Sequence, residues 1–200
     1  MSTVNLNASG RRSASDDRVD SLFTARWSPR AMTGEPLLED ELAPLFEAAR
    51  WAPSSMNAQP WRFVYASKGD KHWQTFYDLM AEGNQKWAVN AGALLVVASS
   101  RKMGERDSVT HSFDTGAAWM SLALQAHKSG LVAHGMQGFD YEAAARALHI
   151  PATFRVEAMI ALGKPGDVDT LPEGYGEREK PSDRKPLNEI VFHGTLAAPA

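Results

Sequence analysis

The chain contains no cysteine. That excludes disulfide bonds, thiolate nucleophiles and zinc or iron–sulfur sites built on sulfur. Long apolar runs are also missing. The longest, Ala91 to Ala98, is interrupted by Gly92 and falls far short of the roughly 20 residues that a membrane-spanning helix needs. Residues 1–20 are polar and carry no apolar core of signal-peptide length, so a cytoplasmic location is expected. Charge of one sign is scarce too. A formal net charge of -3 gives no general attraction to nucleic acid or to an anionic membrane. Metal chemistry has little to stand on: His111 and Asp114 lie three apart at an expected helix start, but no HExxH pattern or third ligand accompanies them, and no metal is expected.

What is present reads as one globular unit. At 200 residues the chain is long enough for one domain with a sizeable core. Residues 1–18 are rich in Ser, Asn, Arg and Asp and are expected to be a disordered lead-in, with a single domain over 19–200. Leu22 and Phe23 mark a short helix before the loop Arg26 to Arg30. Leu42, Leu45, Phe46 and Ala49 recur at i, i+3, i+4 and i+7 behind the acidic turn Glu39 to Glu41, the pattern of an amphipathic helix. Pro44 requires that helix to begin late enough to keep it in the first turn. Trp61 to Ala66 reads as a strand, and Trp73, Phe76, Tyr77 and Met80 as another helical stripe. Ala93 to Ala98 reads as a strand buried on both faces.

A long helix is expected from Ser112 to Ser129, closed by Gly130. It is apolar almost all round, which in so small a protein calls for cover from a second subunit. Asp140 caps a short helix ending before Pro151, and Phe154 to Leu162 is the last core strand. Residues 167–186 form a long polar excursion, after which Leu187 to Phe192 returns to a β-like pattern. Helices and strands are interspersed without a regular βαβ rhythm, so the fold class expected is α+β.

Three stretches carry candidate chemistry. Arg26, Ser28 and Arg30 place two guanidinium forks and a hydroxyl in one loop, with Arg184-Lys185 further on; such a set suits a dianionic phosphate. Pro53-Ser54-Ser55-Met56-Asn57-Ala58-Gln59-Pro60-Trp61 is a proline-stiffened loop whose hydroxyls and carboxamides can meet a polar heteroaromatic ring without adding charge. Gly135-Met136-Gln137-Gly138-Phe139-Asp140 lets backbone come close to a flat ligand just before a helix start. Taken alone, each has a plainer reading: a solvated loop, a capping segment that satisfies its own backbone, a turn.

Taken together and in this order, the stretches resemble the nitroreductase family of FMN-dependent NAD(P)H oxidoreductases, from Val19 to Phe192. Asn57-Ala58-Gln59-Pro60-Trp61 is the most specific part. The resemblance implies a mixed central sheet flanked by helices, in an intertwined homodimer with two FMN sites at the interface and a C-terminal segment that reaches the partner. It implies that Arg26, Ser28 and Arg30 grip the FMN phosphate and the polar edge of the ring, with Arg184 completing the phosphate site. Pro53, Ser54, Ser55 and Asn57 would line the flavin from the partner subunit, and the backbone around Met136, Gln137 and Gly138 would meet flavin N5. One departure stands out: Trp27 occupies a position where the family usually carries a basic or small polar residue, and Pro29 stiffens the same loop.

The implied reaction is ping-pong, with NAD(P)H as co-substrate and a nitroaromatic, quinone or enal as the small acceptor. It demands no side-chain acid or base, and no catalytic residue is assigned. Specialised chemistry on the same fold (dehalogenation or breakdown of the flavin) and non-catalytic flavin binding are the alternative readings. If the phosphate assignment holds, Arg26→Ala and Arg184→Ala cost far more flavin than Arg178→Ala.

Overall fold

The most apolar stretch of the chain sits at the centre of the molecule. In the computed structural model, which describes Thr3 and residues 18–196, Ala93–Ser100 forms β2, buried from Ala93 through Ser99. It pairs with Trp61–Ser67 (β1) on one side and with Phe154–Gly163 (β6) on the other. Val132–Met136 (β5) adds to the far edge of β6, for a sheet order β1-β2-β6-β5. All three pairings are antiparallel, so the mixed character expected of the sheet does not arise among the described strands of this chain. Apart from Thr3 and Arg18, the expected lead-in lies outside the described residues.

Period-two alternation divides the core. Ala93, Leu95 and Val97 of β2 and Ile160 and Leu162 of β6 face one cluster. There they meet Leu42, Leu45 and Ala49 of α2 (Glu39–Arg50) and Ala118, Leu122 and Ala126 of α5 (His111–Lys128). Leu94, Val96, Met159 and Ala161 face the other cluster. Their partners are Phe76 of α3 (Trp73–Leu79), Trp87 of α4 (Glu82–Ala88) and Ala144 of α6 (Tyr141–Ala147). A sheet flanked by helices on both faces results, as the α+β expectation requires. A short helix, α1 (Ser21–Ala25), precedes the loop at Arg26. A two-stranded hairpin, β3 (Lys102–Met103) with β4 (Arg106–Asp107), links β2 to α5.

Several expectations need correction. Pro44 lies six residues into α2, not in its first turn. It therefore leaves the carbonyl of Asp40 without its helical donor; both residues are exposed, so water can take the place of the missing N–H. Pro44→Ala restores that bond, and a gain of about 1–2 kcal/mol is expected, less than the ~3 kcal/mol interior cost of proline because the unfolded chain also gains freedom. A thermal unfolding curve that shifts down in the variant contradicts this. Leu187 to Phe192 forms no strand: Leu187–Glu189 is a single 3-10 turn, and Leu187, Ile190 and Val191 are exposed. Without a partner strand, its β-like pattern has no ladder to join. α4 and β5 were not anticipated.

The long helix matches expectation closely and ends with Gly130 at φ 73°, the left-handed closure glycine allows at least cost. It buries Asp114, Thr115, Ala118, Leu122, Ala123 and Ala126. Its opposite stripe does not find full cover among the described residues: Phe113 is 81% exposed, and Ala117, Met120 and Leu124 are half-buried.

Candidate cofactor site

The loop after α1 is held from three directions. Residues 31–33 cross the segment that leaves β6: Met32 bridges Pro165, Thr33 N–H donates to the Lys164 carbonyl (3.1 Å), and Gly166 N–H donates to the Ala31 carbonyl (3.0 Å). From the excursion, Glu179 Oε1 accepts from the backbone N–H of Arg30 (2.6 Å) and of Ala31 (2.8 Å). From β5, His134 Nδ1–H donates to the Pro29 carbonyl (3.0 Å) while its ring packs on Trp87, with centroids 4.7 Å apart. With Pro29 to Ala31 fixed, the extended loop turns alternate residues the same way, and Arg26 donates to Ser28 Oγ (3.2 Å).

Arg26, Trp27, Ser28 and Arg30 line one side of a cavity of about 280 Å³, with His134 beside them. Arg178, Lys180, Ser182 and Arg184 complete it. Five cationic side chains thus converge in a chain whose net charge is -3, and none of the described lining residues is acidic. Converging like charge in a concave site focuses a positive potential and draws anions. Arg184 is folded onto its own turn, donating to the Ser182 carbonyl (3.1 Å) and Ser182 Oγ (3.2 Å).

The loop Pro53 to Asn57 does not line this cavity. Ser54 Oγ accepts from Gln59 N–H (3.0 Å), and Ser55 N–H donates to Asp114 Oδ2 of α5 (3.1 Å). Met56, Asn57 and Gln59 all have positive φ (50°, 56° and 47°). Three non-glycine residues in that region within one loop is strain that surrounding contacts must sustain, and such strain gathers at ligand sites. Ser54 serves its own loop, as the plainer reading of this stretch required.

Met136, Gln137 and Gly138 lie at the end of β5, connected to the cavity through side chains. The Gly138 carbonyl accepts from Ala81 N–H (3.0 Å) and Asn84 Nδ2 (2.9 Å). Asn84 Oδ1 accepts from Trp87 Nε1 (3.3 Å), and the Arg30 guanidinium lies 6.0 Å from the Trp87 ring centre. A Cβ at position 138 would approach Asn84 Nδ2 to 2.9 Å, so a side chain there displaces the Asn84 carboxamide from its bond to the Gly138 carbonyl.

Arg26, Ser28, Arg30 and Arg184, singled out in the sequence, line this cavity; His134, Arg178, Lys180 and Ser182 of its lining were missed, as was Glu179 behind it. The basic residues at 178, 180 and 184 stand close together in the sequence, but Arg178 ends the 3-10 turn Gly176–Arg178, so their shared side follows from the fold and not from a strand-like alternation. Arg178, taken from the sequence as the neutral comparison, is itself a lining residue. His111 and Asp114 do not converge. His111 Nδ1 meets Ser99 Oγ at 2.7 Å, while Asp114 Oδ2 accepts from Thr110 Oγ1 at 3.0 Å. No group of three potential metal ligands occurs among the described residues.

Burial pushes His134 down to about 4, with Arg30 and Arg26 adding to the shift against the opposing hydrogen bond to Pro29. The imidazole is therefore neutral at pH 7 and contributes a directed N–H rather than a sixth charge. Its folded value lies below the unfolded value near 6.5. The unfolded chain therefore binds the proton first, and stability drains away as pH falls from about 6.5 toward 4. A loss on the order of 3 kcal/mol over that window is expected from this group. The stability difference between wild type and His134→Asn should shrink as pH falls; a difference constant from pH 7.5 to 4.5 rules the account out.

Against known proteins, the nitroreductase family profile matches residues 23–86 and 70–164. The uncharacterized 15.4 kDa protein in the ask 5′ region of Mycolicibacterium smegmatis is 36% identical over 135 residues, 67% of this chain and 90% of that protein. Among solved structures, an oxidoreductase containing FMN is 47% identical and superposes with a TM-score of 0.89 over 93% of this chain and 96% of the other. A candidate nitroreductase of Desulfovibrio desulfuricans in complex with FMN is 25% identical, with a TM-score of 0.71 over 92% of this chain and 100% of the other. No helix among the described residues is long and apolar enough to cross a membrane. On the profile match and the shared fold, the chain belongs to the nitroreductase family.

Proposed function

We propose that the chain is an FMN-dependent, NAD(P)H-consuming oxidoreductase that works as a cytoplasmic homodimer on a small oxidised acceptor such as a nitroaromatic, a quinone or an enal. The cavity carries this reading: five cations and two hydroxyls, with no acid among the described lining residues, fit a phosphate monoester dianion. Trp27 fits as well. Its indole N–H is buried without an acceptor among the described residues, and an acceptor-rich ligand supplies one. When bound there, FMN would supply the two-electron hydride chemistry that links NAD(P)H to the acceptor.

In this reading Arg26, Ser28, Arg30 and Arg184 hold the phosphate and the polar edge of the ring. The backbone of Met136, Gln137 and Gly138, braced by Asn84, would meet N5. Pro53, Ser54, Ser55 and Asn57 come from the partner subunit, which accounts for their separation from the cavity in one chain. The uncovered stripe of α5 and the exposed apolar residues from Leu187 to Phe192 supply surface for that partner. No side chain is needed as acid or base.

An absorbance spectrum of purified protein, before and after anaerobic NADH or NADPH, tests the reading. Flavin bands that bleach quickly support it. Bands that persist indicate flavin binding without turnover, and a colourless protein that FMN does not reconstitute overturns it. Arg26→Ala and Arg184→Ala are expected to lower flavin content at least about tenfold at limiting FMN, since each removes a charged hydrogen-bond partner worth roughly 1.5–3 kcal/mol. Arg146, exposed on α6 and paired with Glu142, replaces Arg178 as the neutral control.

A further inference from the structure

The excursion presents its cations in a strict alternation. Arg178, Lys180, Ser182 and Arg184 line the cavity, and the residues between them do not. Glu179 points the other way, fully buried, where it caps the N–H groups of Arg30 and Ala31. That buried carboxylate fixes the register of the segment, so the inward side of Arg178 and Lys180 is built rather than incidental. On the opposite wall Arg26, Ser28 and Arg30 face the same space, with Trp27 between them also in the lining.

One phosphate monoester carries about two negative charges at neutral pH. Arg26, Arg30 and Arg184 with Ser28 already match it, guanidinium by guanidinium. Arg178 and Lys180 add two positive charges beyond that need, and like charges in one concave site repel unless the occupant brings more negative charge. Building on the FMN reading above, we infer that Arg178 and Lys180 form a second phosphate subsite in the same cavity, which receives the 2′-phosphate of NADPH and makes NADPH the preferred donor over NADH. The chemistry served is unchanged: the nicotinamide loses a hydride, giving NADP+, and the flavin gains it. The subsite acts in binding only.

The subsite should contribute a preference of about 10-fold to 100-fold, the range of one or two charge-assisted hydrogen bonds. The test uses the full chain loaded with FMN. The ratio of kcat/KM for NADPH over NADH is measured in wild type and in the double variant Arg178→Ala/Lys180→Ala, with flavin content recorded for each. A readout independent of turnover is the binding of adenosine 2′-monophosphate, followed by quenching of tryptophan fluorescence against an adenosine control. The expected result is a wild-type ratio of about ten or more, at least a tenfold fall in that ratio in the variant, and loss of adenosine 2′-monophosphate binding. A wild type that uses NADH as well as NADPH overturns the inference without any variant. So does a variant that loses its flavin, because both cations then belong to the FMN phosphate. A chain that holds no flavin at all instead removes the functional reading on which the inference rests.

Discussion

Gly166→Ala is expected to lower the melting temperature by about 6–12 °C and to release the loop from Arg26 to Arg30, although residue 166 is not among the residues that line the cavity. A Cβ built there falls 2.4 Å from the Met32 carbonyl carbon, 2.5 Å from its oxygen and 2.7 Å from its nitrogen. All three atoms are backbone, so no rotamer change relieves the clash; the crossing of residues 31–33 over 164–166 must open instead. That crossing carries the bond from Gly166 N–H to the Ala31 carbonyl and the bridge between Met32 and Pro165. Overpacking of this kind costs about 3 kcal/mol or more when backbone has to move, and for a chain of this length each kcal/mol shifts the midpoint by about 2–4 °C. Arg30, two residues upstream of Met32, loses its position with it. Gly163→Ala is the milder comparison, because its Cβ meets only side-chain atoms of Met32, Sδ at 2.8 Å and Cβ and Cγ at 3.2 Å, and should cost less. Equal melting of the two variants within experimental error would sink the argument.

The contrast between these two glycines shows what a sequence reveals and what it hides. β2 was legible because its burial on both faces leaves an uninterrupted apolar run, and α5 because eighteen residues with a closing glycine admit no other local structure. α4 was not: Glu-Gly-Asn-Gln-Lys-Trp-Ala is short and includes a glycine, and its only deeply buried anchors are Trp87 and Ala88. β5 was hidden for a similar reason, since His134 and Gly135 interrupt the apolar alternation and only pairing with β6 makes it a strand. Pro44 was misplaced because a rule about local backbone cost was outweighed by Leu42, Leu45 and Ala49, whose burial holds the helix together around it. Of the residues that line the cavity, Arg26, Ser28, Arg30 and Arg184 were singled out through the resemblance of their spacing to a known family. His134 and Glu179 act on backbone groups over a hundred residues away in sequence, and no local pattern announces such a partner.

Glu179→Ala is therefore expected to be severe, although the residue lies in a polar, basic stretch where an alanine looks harmless. Its side chain is fully buried, and one oxygen serves two N–H groups, at 2.6 Å and 2.8 Å. Removing it leaves both part-buried donors without their acceptor, at about 1–3 kcal/mol each, so a total loss of about 2–6 kcal/mol is expected. Arg30 also loses the carboxylate oxygen that lies 3.9 Å from its guanidinium, and the segment carrying Arg178 to Arg184 loses the anchor that sets its register. Flavin content should fall together with stability, unlike in Arg184→Ala, where flavin falls and stability holds because Arg184 is exposed. Glu179→Gln should fall between the two: its amide oxygen keeps one acceptor for the two N–H groups, but its NH2 then faces the Arg30 guanidinium, donor against donor. Chemical denaturation and flavin absorbance on the same three samples separate these outcomes. If Glu179→Ala unfolds at the wild-type denaturant concentration, the two short hydrogen bonds do not position the loop, and the cavity must owe its shape to the crossing at Gly166 alone.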